Sequence, residues 1–384
     1  MNKSLEKFLS SLSDEDSLGF SIASSRRAKI EAISTGCHTL DDALSCGGFP
    51  KGRVSQLYGE PGSSKTLVSM LTIISAQSTD PEAVQIFYDA EQSFDIDWFE
   101  SLGGDCDRLI LVDDDSAALG AKLIESLVGI PRDDGKGKKQ EGVLDKIAKK
   151  ELNCNLIVID SLGAIIPPLE ERAKVTTNNI GLLARFLTTN MKKVALEVKK
   201  ANVVLIVINH KKEGMDMYGP DHTFSGGNAY THFLSANIYL RPVKSKDSAI
   251  LDEKERKVGG KVAFTIEKSK FGPWPRKGEY KINYATGFVD VHEQVATLAI
   301  DYDVIKRPNN VTYLYGEESF RGIEALYTAV KEKEGFKEEL LTKINEARAS
   351  KKNISTSDST ESEEESVEES DVVETKRGRK KKDA

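Results

Sequence analysis

Five short, continuous apolar runs recur between residues 54 and 209, and longer segments of helical character separate them. The runs are VSQLY (54–58), QIFYD (85–89), LILV (109–112), LIVID (156–160) and VVLIVIN (203–209). Such runs fit strands buried on both faces, as in a parallel sheet covered by helices. ANIYLR (236–241), KVAFTIEK (261–268) and YKINY (280–284) follow with little helix between them, which predicts that hairpins extend the sheet. The pattern therefore predicts an α/β fold with a mostly parallel sheet flanked by helices.

Length and composition limit the remaining possibilities. The 384 residues suit one large core with smaller appendages, and 39% apolar with 30% charged residues is typical of a soluble globular protein. No apolar run is long enough to span a bilayer, and residues 1–20 are too acidic for a signal peptide. The cysteines contain no C-x-x-C pair, so neither a zinc site nor a disulfide framework is predicted. The net charge of −7 does not exclude nucleic acid, because a local groove can be basic.

The octet GEPGSSKT (59–66) lies between the strand VSQLY and the helical segment LVSMLTIISAQ. It follows the phosphate-loop pattern G-x-x-x-x-G-K-[ST] except that Ser64 replaces the second glycine, a position that often needs φ > 0. Backbone N–H groups would hold the phosphates, Lys65 would reach the β- and γ-phosphates, and Thr66 would ligate Mg²⁺. The alternative is a Gly/Ser-rich turn with a chance Lys–Thr pair. The predicted nucleotide-binding segment is Gly59, Glu60, Pro61, Gly62, Ser63, Ser64, Lys65 and Thr66.

Two acidic residues lie at or just past the ends of predicted strands. Asp160 ends LIVID, where a carboxylate beside the phosphate loop can hold Mg²⁺ through water. Glu91, in FYDAEQ, is placed to polarise an attacking water as a base. From spacing alone, Glu91 could equally be a solvated loop carboxylate.

Five stretches in this order resemble the RecA family of strand-exchange recombinases, over roughly residues 33–290. They are ISTGCHTLDDALSCGGFPKGRVSQLYGEPGSSKT (33–66), FYDAEQSFDIDWFESLGGD (87–105), LIVIDSLGAIIP (156–167), VVLIVINHKKEGMDMYGPDHTFSGGNAYTHFLSANIYLR (203–241) and FTIEKSKFGPWPRKGEYKINYATG (264–287). The histidine at 210 and the altered phosphate-loop glycine look more like the phage branch of the family, typified by UvsX.

The resemblance implies a role for individual residues. Lys65, Thr66 and Asp160 would bind ATP and Mg²⁺, with Glu91 as the base. Asp95, Trp98 and Tyr284 match positions around the adenine or ribose. Asn209 and His210 match the γ-phosphate sensor, and Lys268 and Lys270 match a pair that reaches the ATP of a neighbouring subunit. Without the surrounding match, EKSK (267–270) would be read as a solvated strand end.

Two long polar segments are candidate DNA-binding loops, at 169–181 and 211–227. Lysine and arginine would contact phosphates, apolar wedges would separate bases, and the glycine pair would let the second loop change conformation. Taken alone, each segment could be a mobile surface loop. The residues proposed for these contacts are Arg172, Lys174, Lys211, Lys212, Met217, Tyr218, Gly226 and Gly227, with Met215 as a further apolar side chain.

The predicted domains are an N-terminal helix and polymerisation arm (1–33), the RecA-like ATPase core (34–289), a small C-terminal α/β domain (290–350) and a disordered acidic, then basic tail (351–384). The arm could instead be a frayed terminal helix. The acidic stretch 358–374 could compete with DNA for a basic groove or serve only solubility.

These features together predict an ATP-dependent DNA recombinase in the bacterial cytoplasm of a phage-infected cell. It would form helical filaments of itself on single-stranded DNA and exchange strands with homologous duplex DNA, alongside single-strand-binding and mediator proteins, with no membrane partner. Two alternatives are a ring-forming motor of the helicase type and a non-catalytic RecA-like adaptor. The motor would usually need a different N-terminal domain, for which residues 1–33 are too few. The adaptor predicts loss of Lys65, Glu91 or Asp160, all of which are present, and Ser64 is the one feature in its favour.

Overall fold

A computed structural model describes residues 30–113, 119–131, 139–171, 181–213, 222–227, 229–245, 248–272 and 276–357. The chain divides into two compact units, one ending at Gln294 and the other beginning at Val295. The division lies slightly C-terminal to the predicted start of the small domain at residue 290. Most of the predicted N-terminal arm and of the tail lies outside the described residues.

The first unit is built around one large sheet. Six neighbouring strands run parallel, in the order β11 (Ala236–Pro242), β3 (Arg53–Gly59), β9 (Val204–Glu213), β8 (Cys154–Asp160), β4 (Val84–Asp89) and β5 (Leu109–Val112). On the β11 side, the sheet is extended by the antiparallel strands β13 (Lys257–Ser269), β14 (Arg276–Asn283) and β15 (Gly287–Phe288). The predicted α/β class and the hairpin extension are therefore confirmed. The strands of this unit are β1 (Ala32–Ile33), β2 (Phe49–Pro50), β3 (Arg53–Gly59), β4 (Val84–Asp89), β5 (Leu109–Val112), β6 (Ile130–Pro131), β7 (Lys139–Gln140), β8 (Cys154–Asp160), β9 (Val204–Glu213), β10 (His222–Phe224), β11 (Ala236–Pro242), β12 (Ala249–Leu251), β13 (Lys257–Ser269), β14 (Arg276–Asn283) and β15 (Gly287–Phe288).

Helices cover both faces of the parallel strands, which explains why those strands are continuously apolar. Along β9, Val204, Ile206 and Ile208 pack in one core with the helix that follows the phosphate loop, while Leu205 and Val207 pack in a second core against the 20-residue helix Leu182–Ala201. The helices of this unit are α1 (His38–Ala43), α2 (Lys65–Thr79), α3 (Ile96–Ser101), α4 (Leu119–Val128), α5 (Val143–Ala148), α6 (Pro168–Glu171) and α7 (Leu182–Ala201), with α8 (Val291–Asp301) crossing into the second unit.

The second unit has a core of its own. The hairpin of β16 (Thr312–Tyr315) and β17 (Glu318–Arg321) packs with α8, α9 (Ile323–Glu332) and α10 (Phe336–Ser357). Helix α10 continues to Ser357, beyond the predicted end of this domain at residue 350. Within the described part of the chain, no helix combines the length and apolar character needed to cross a bilayer.

Part of the segment 211–227, predicted as a loop, forms paired β-strands. Strand β9 continues to Glu213 instead of ending at 209, and it pairs antiparallel with β10, with Lys211 opposite Phe224 and Lys212 opposite Thr223. The polar sequence after Asn209 gave no strand signal because its pairing partner, His222–Phe224, is a separate segment further along the chain. Both ends of the candidate second DNA loop are therefore anchored to the main sheet.

Candidate nucleotide site and DNA-facing loops

The phosphate loop joins the carboxyl end of β3 to the first residue of α2. At Gly59 a Cβ would lie 1.9 Å from the carbonyl oxygen of Leu240, so the close approach of β11 requires glycine here. Gly62 has φ +71°, and Ser64 has φ +62° and ψ +23°, in the left-handed region. The serine thus adopts the conformation expected of the glycine it replaces, at a cost of order 1 kcal/mol.

Lys65 is turned back over its own loop. Its Nζ donates to the carbonyl oxygens of Glu60 at 3.0 Å and Gly59 at 3.4 Å. The side chain is buried, and this burial lowers the pKa of the ammonium group, while Asp160 and Glu91 oppose the shift. Backbone carbonyls are weak partners for a buried cation, so the residue fits an anionic ligand such as a phosphate.

Next to Lys65 lie side chains whose oxygen atoms could bind a metal ion. Thr66 Oγ1 donates to Asp160 Oδ2 at 2.6 Å, and burial raises the pKa of Asp160 to about 6. Asp89 lies directly opposite Asp160 on the neighbouring strand, and its buried Oδ1 has no hydrogen-bond partner among the described residues. A hydroxyl and two crowded, desolvated carboxylates suit Mg²⁺, which prefers oxygen ligands. The residues present therefore fit the predicted ion.

Glu91 is held by two side chains at the same edge of the sheet. Its Oε1 accepts a hydrogen bond from Ser161 Oγ and lies 2.6 Å from His210 Nε2. The hydrogen bond from His210 is the main cause that keeps the pKa of Glu91 below its usual value. An ionised carboxylate only accepts hydrogen bonds, so His210 Nε2 carries the proton. His210 is aligned with Gly59 on the adjacent strand, which places the pair beside the phosphate loop.

Asn209, the other half of the predicted sensor, faces away from this edge. It is fully buried, and its Nδ2 donates to the carbonyl oxygen of Ser225 at 2.8 Å and to Tyr230 Oη at 2.9 Å. Adjacent strand residues point to opposite faces of a sheet, so only one of the two can face the Glu91 side. These bonds tie β9 to the end of the candidate second DNA loop, and the part of Asn209 in the predicted γ-phosphate sensor stays a prediction.

The three residues predicted around the nucleoside come together. Asp95 caps α3 by accepting from the Trp98 backbone N–H at 2.9 Å, and Trp98 Nε1 donates to the carbonyl oxygen of Tyr284 at 2.5 Å. Tyr284 and Gly62 of the phosphate loop line one cleft together with β13 residues. An aromatic ring beside the phosphate loop is a suitable surface for a nucleobase.

Replacing Asp95 by alanine is expected to destabilise the protein by about 1 kcal/mol, because α3 loses its N-terminal cap. Asp95→Asn keeps an acceptor at the same position and should retain most of this stability. Urea unfolding of both variants measures the difference, and equal losses would contradict the capping role.

Lys268 and Lys270 are remote from the phosphate loop of their own chain. Gly59 pairs with Leu240 of β11, the strand that lies between β3 and β13. Lys268 pairs with Asn237 of the same strand, which precedes Leu240 by three residues, or about 10 Å. Their ammonium groups donate to the carbonyl oxygens of Thr231 and His232, at 2.6 and 3.4 Å. Burial and then the charge of Lys270 lower the pKa of Lys268. The chain thus does not bring this pair to its own nucleotide site.

The candidate second DNA loop begins within reach of the phosphate loop. Glu60 Oε1 lies 3.5 Å from Lys211 Nζ, and Glu60 Oε2 lies 3.1 Å from Lys244 Nζ. Lys212 is exposed, and Gly226 and Gly227 close the loop with φ of +90° and +68°. The other proposed DNA contacts lie outside the described residues: Arg172, Lys174, Met215, Met217 and Tyr218.

Sequence reasoning missed three participants in the site. Asp89 could have been found, since it ends a strand as Asp160 does. Ser161 directly follows Asp160, but a serine after a strand is too common to signal a contact with Glu91. Tyr280, whose hydroxyl touches Ser64, lies 216 residues further along the chain and gave no signal at all.

Comparison with known proteins agrees with this geometry. The family model of the RecA N-terminal domain matches residues 15–289, which include every residue of the candidate nucleotide site described above. Protein RecA of Leptospira meyeri is 30% identical over 298 residues, covering 77% of this chain and 69% of that relative. Protein RecA of Staphylococcus aureus strains JH9 and Newman is 29% identical over 320 residues, covering 83% of this chain and 84% of the relative. The chain therefore belongs to the RecA family.

Proposed function

We propose that this protein is an ATP-dependent DNA recombinase that forms helical filaments on single-stranded DNA and catalyses homologous pairing and strand exchange. The observation that carries the proposal is the meeting of four parts at one sheet edge. These parts are the phosphate loop, the Thr66–Asp160 pair, the Glu91–His210 pair and the anchored start of the second DNA loop. A nucleotide-dependent DNA-binding machine needs these parts side by side.

Each residue has a chemical task in ATP hydrolysis. Lys65 would exchange the carbonyls of Gly59 and Glu60 for phosphate oxygens, which are stronger partners for its charge. Glu91 would orient the attacking water and accept its proton, while His210 and Ser161 hold the carboxylate in place. Thr66 and Asp160 would hold Mg²⁺, which when bound would supply positive charge against the phosphates.

The remote position of Lys268 and Lys270 supports completion of the site by a second copy of the chain. Two cations that cannot reach their own phosphate loop can serve the loop of a neighbour, as an arginine finger does in trans. A nucleotide held at such a junction would stabilise the polymer, and hydrolysis would weaken it. Head-to-tail contacts of this kind build open helices when the rotation does not close.

Glu60 supports a link between nucleotide and DNA binding. It belongs to the phosphate loop, and its carboxylate is shared by Lys211 at the start of the second DNA loop and by Lys244. Phosphates of a DNA strand would compete with Glu60 for Lys211. A change in the loop on ATP binding would therefore alter the charge available to DNA.

Other parts of the proposal rest on family membership. We propose single-stranded and homologous duplex DNA as substrates, single-strand-binding and mediator proteins as partners, and action on DNA in the bacterial cytoplasm. The assignment to the phage branch typified by UvsX remains a prediction, based on His210 and Ser64.

The deciding experiment measures ATP hydrolysis with and without single-stranded DNA and images the same mixtures by electron microscopy. We expect hydrolysis stimulated by DNA, and helical DNA-coated filaments that need nucleotide and Lys65. Closed rings in both conditions would favour a motor. Equal coating of DNA without nucleotide and by a Lys65→Ala variant would favour the adaptor.

Replacing Lys211 by alanine is expected to weaken the binding of single-stranded DNA. The slope of the logarithm of the association constant against the logarithm of the salt concentration should become less steep by about 0.7, the value for one phosphate contact on a single strand. Binding is measured by fluorescence anisotropy at several salt concentrations. Lys200→Ala, an exposed lysine on α7 paired with Glu197, is the matched control. An unchanged slope for Lys211→Ala would contradict a phosphate contact.

A further inference from the structure

A hydroxyl pair joins the phosphate loop to the antiparallel extension of the sheet. Tyr280 Oη lies 3.0 Å from Ser64 Oγ, and Ser64 Oγ also donates to the carbonyl oxygen of Ser63 at 2.6 Å. Tyr280 is 3% exposed on β14, where its ring stacks on Phe264 and contacts Phe288 edge-on. Two aromatic neighbours fix the position of the phenol ring, so its hydroxyl is a fixed anchor for the loop.

The direction of the hydrogen bonds follows from the number of protons. Ser64 has one hydroxyl proton, which goes to the Ser63 carbonyl, so the Tyr280 hydroxyl must donate to Ser64 Oγ. Burial raises the pKa of Tyr280, and the phenol therefore keeps the proton that it donates. Ser64 is the hydrogen-bond partner that the described residues provide for this buried hydroxyl.

The anchored residue has an unusual backbone. Ser64 lies in the left-handed region, which glycine enters without steric cost and side-chain-bearing residues seldom adopt. It immediately precedes Lys65 and is the N-cap of α2. Its φ and ψ therefore set the direction of Lys65 and of the first N–H groups of the helix, which are the groups that meet phosphate oxygens.

We propose that Tyr280 is a positioning residue of the phosphate loop, whose hydroxyl holds Ser64 in the left-handed conformation and so replaces the steric freedom of the missing glycine. This inference rests on the proposed binding of ATP by the same loop. It assigns a function to a residue outside the phosphate-loop motif, contributed by a strand that otherwise only extends the sheet.

The test is a double-mutant cycle of Tyr280→Phe and Ser64→Gly in the full chain, with affinity for a fluorescent ATP analogue in Mg²⁺ as the readout. Tyr280→Phe in the serine background should weaken binding about fivefold, the effect of one ordinary hydrogen bond. In the glycine background the same change should alter binding by less than about twofold, because glycine needs no anchor. Ser64→Ala, which removes the bond from the loop side but keeps a Cβ, should also weaken binding.

Tyr88→Phe is the matched control. Tyr88 is buried in the same sheet, and its hydroxyl lies 2.8 Å from Ser126 Oγ, so the change removes the same kind of bond at a site without contact to the loop. It should lower the melting temperature as much as Tyr280→Phe does and leave nucleotide affinity unchanged.

Three results would overturn the inference, and they are distinguishable. Equal losses of affinity for Tyr280→Phe in both backgrounds, or no loss in either, would mean that Tyr280 only packs in the core, while the proposed function would stand. Failure of the unaltered protein to bind the analogue would overturn ATP binding itself and this inference with it.

Discussion

Replacing Glu91 by glutamine is expected to lower kcat for ATP hydrolysis by about 10²–10⁴-fold and to leave ATP binding nearly unchanged. Glutamine keeps the shape of the side chain and an oxygen that Ser161 and His210 can bond, but it cannot accept the proton of the attacking water. The hydrogen bond from His210 lowers the pKa of Glu91, so the carboxylate is ionised at neutral pH and ready for this task.

Steady-state hydrolysis with saturating single-stranded DNA measures kcat, and titration with an ATP analogue measures binding. Glu82→Gln is a suitable control, since Glu82 is an exposed glutamate just before β4, the strand that Glu91 follows. Hydrolysis within about twofold of the unaltered protein would show that Glu91 is only a loop carboxylate, the alternative that spacing alone left open.

Replacing Lys268 by alanine is expected to reduce DNA-stimulated hydrolysis by about 10³-fold or more, the effect of removing a cation that completes a phosphoryl-transfer site in trans. ATP binding by the monomer should survive, because Lys268 lies about 10 Å along the sheet from the level of its own phosphate loop. Lys277→Ala, an exposed lysine on neighbouring β14, is the control for a general loss of positive charge.

A mixing experiment separates action in trans from a role in folding. The Glu91→Gln variant retains Lys268, and the Lys268→Ala variant retains Glu91. A junction therefore contains both residues when the Lys268→Ala copy supplies the phosphate loop and Glu91 and its neighbour, the Glu91→Gln copy, supplies Lys268. A random equal mixture should recover about a quarter of the full activity if each site uses one neighbour. No recovery, or loss of ATP binding by the Lys268→Ala monomer, would contradict a role in trans.

The parts of the candidate site that could be predicted from the residues alone carry local signals. The phosphate loop follows from turn chemistry between a strand and a helix, and Asp160 follows from its place at the end of an apolar run. The strands themselves follow from continuous apolar runs, which only burial on both faces explains. The pairing of Lys211 and Lys212 with β10 was missed because the formation of a strand by a polar segment depends more on its pairing partner than on its own residues.

The sequence by itself therefore determined the class of fold and predicted a phosphate-binding loop with an acid beside it, since each depends on neighbours within a few residues. Tertiary structure decided the rest. It brought His210 to Glu91 across 119 positions and Tyr280 to Ser64 across 216, turned Asn209 to the opposite face, and separated Lys268 from its own phosphate loop. These relations depend on strand order and register, which are settled by the packing of the whole sheet and have no local pattern.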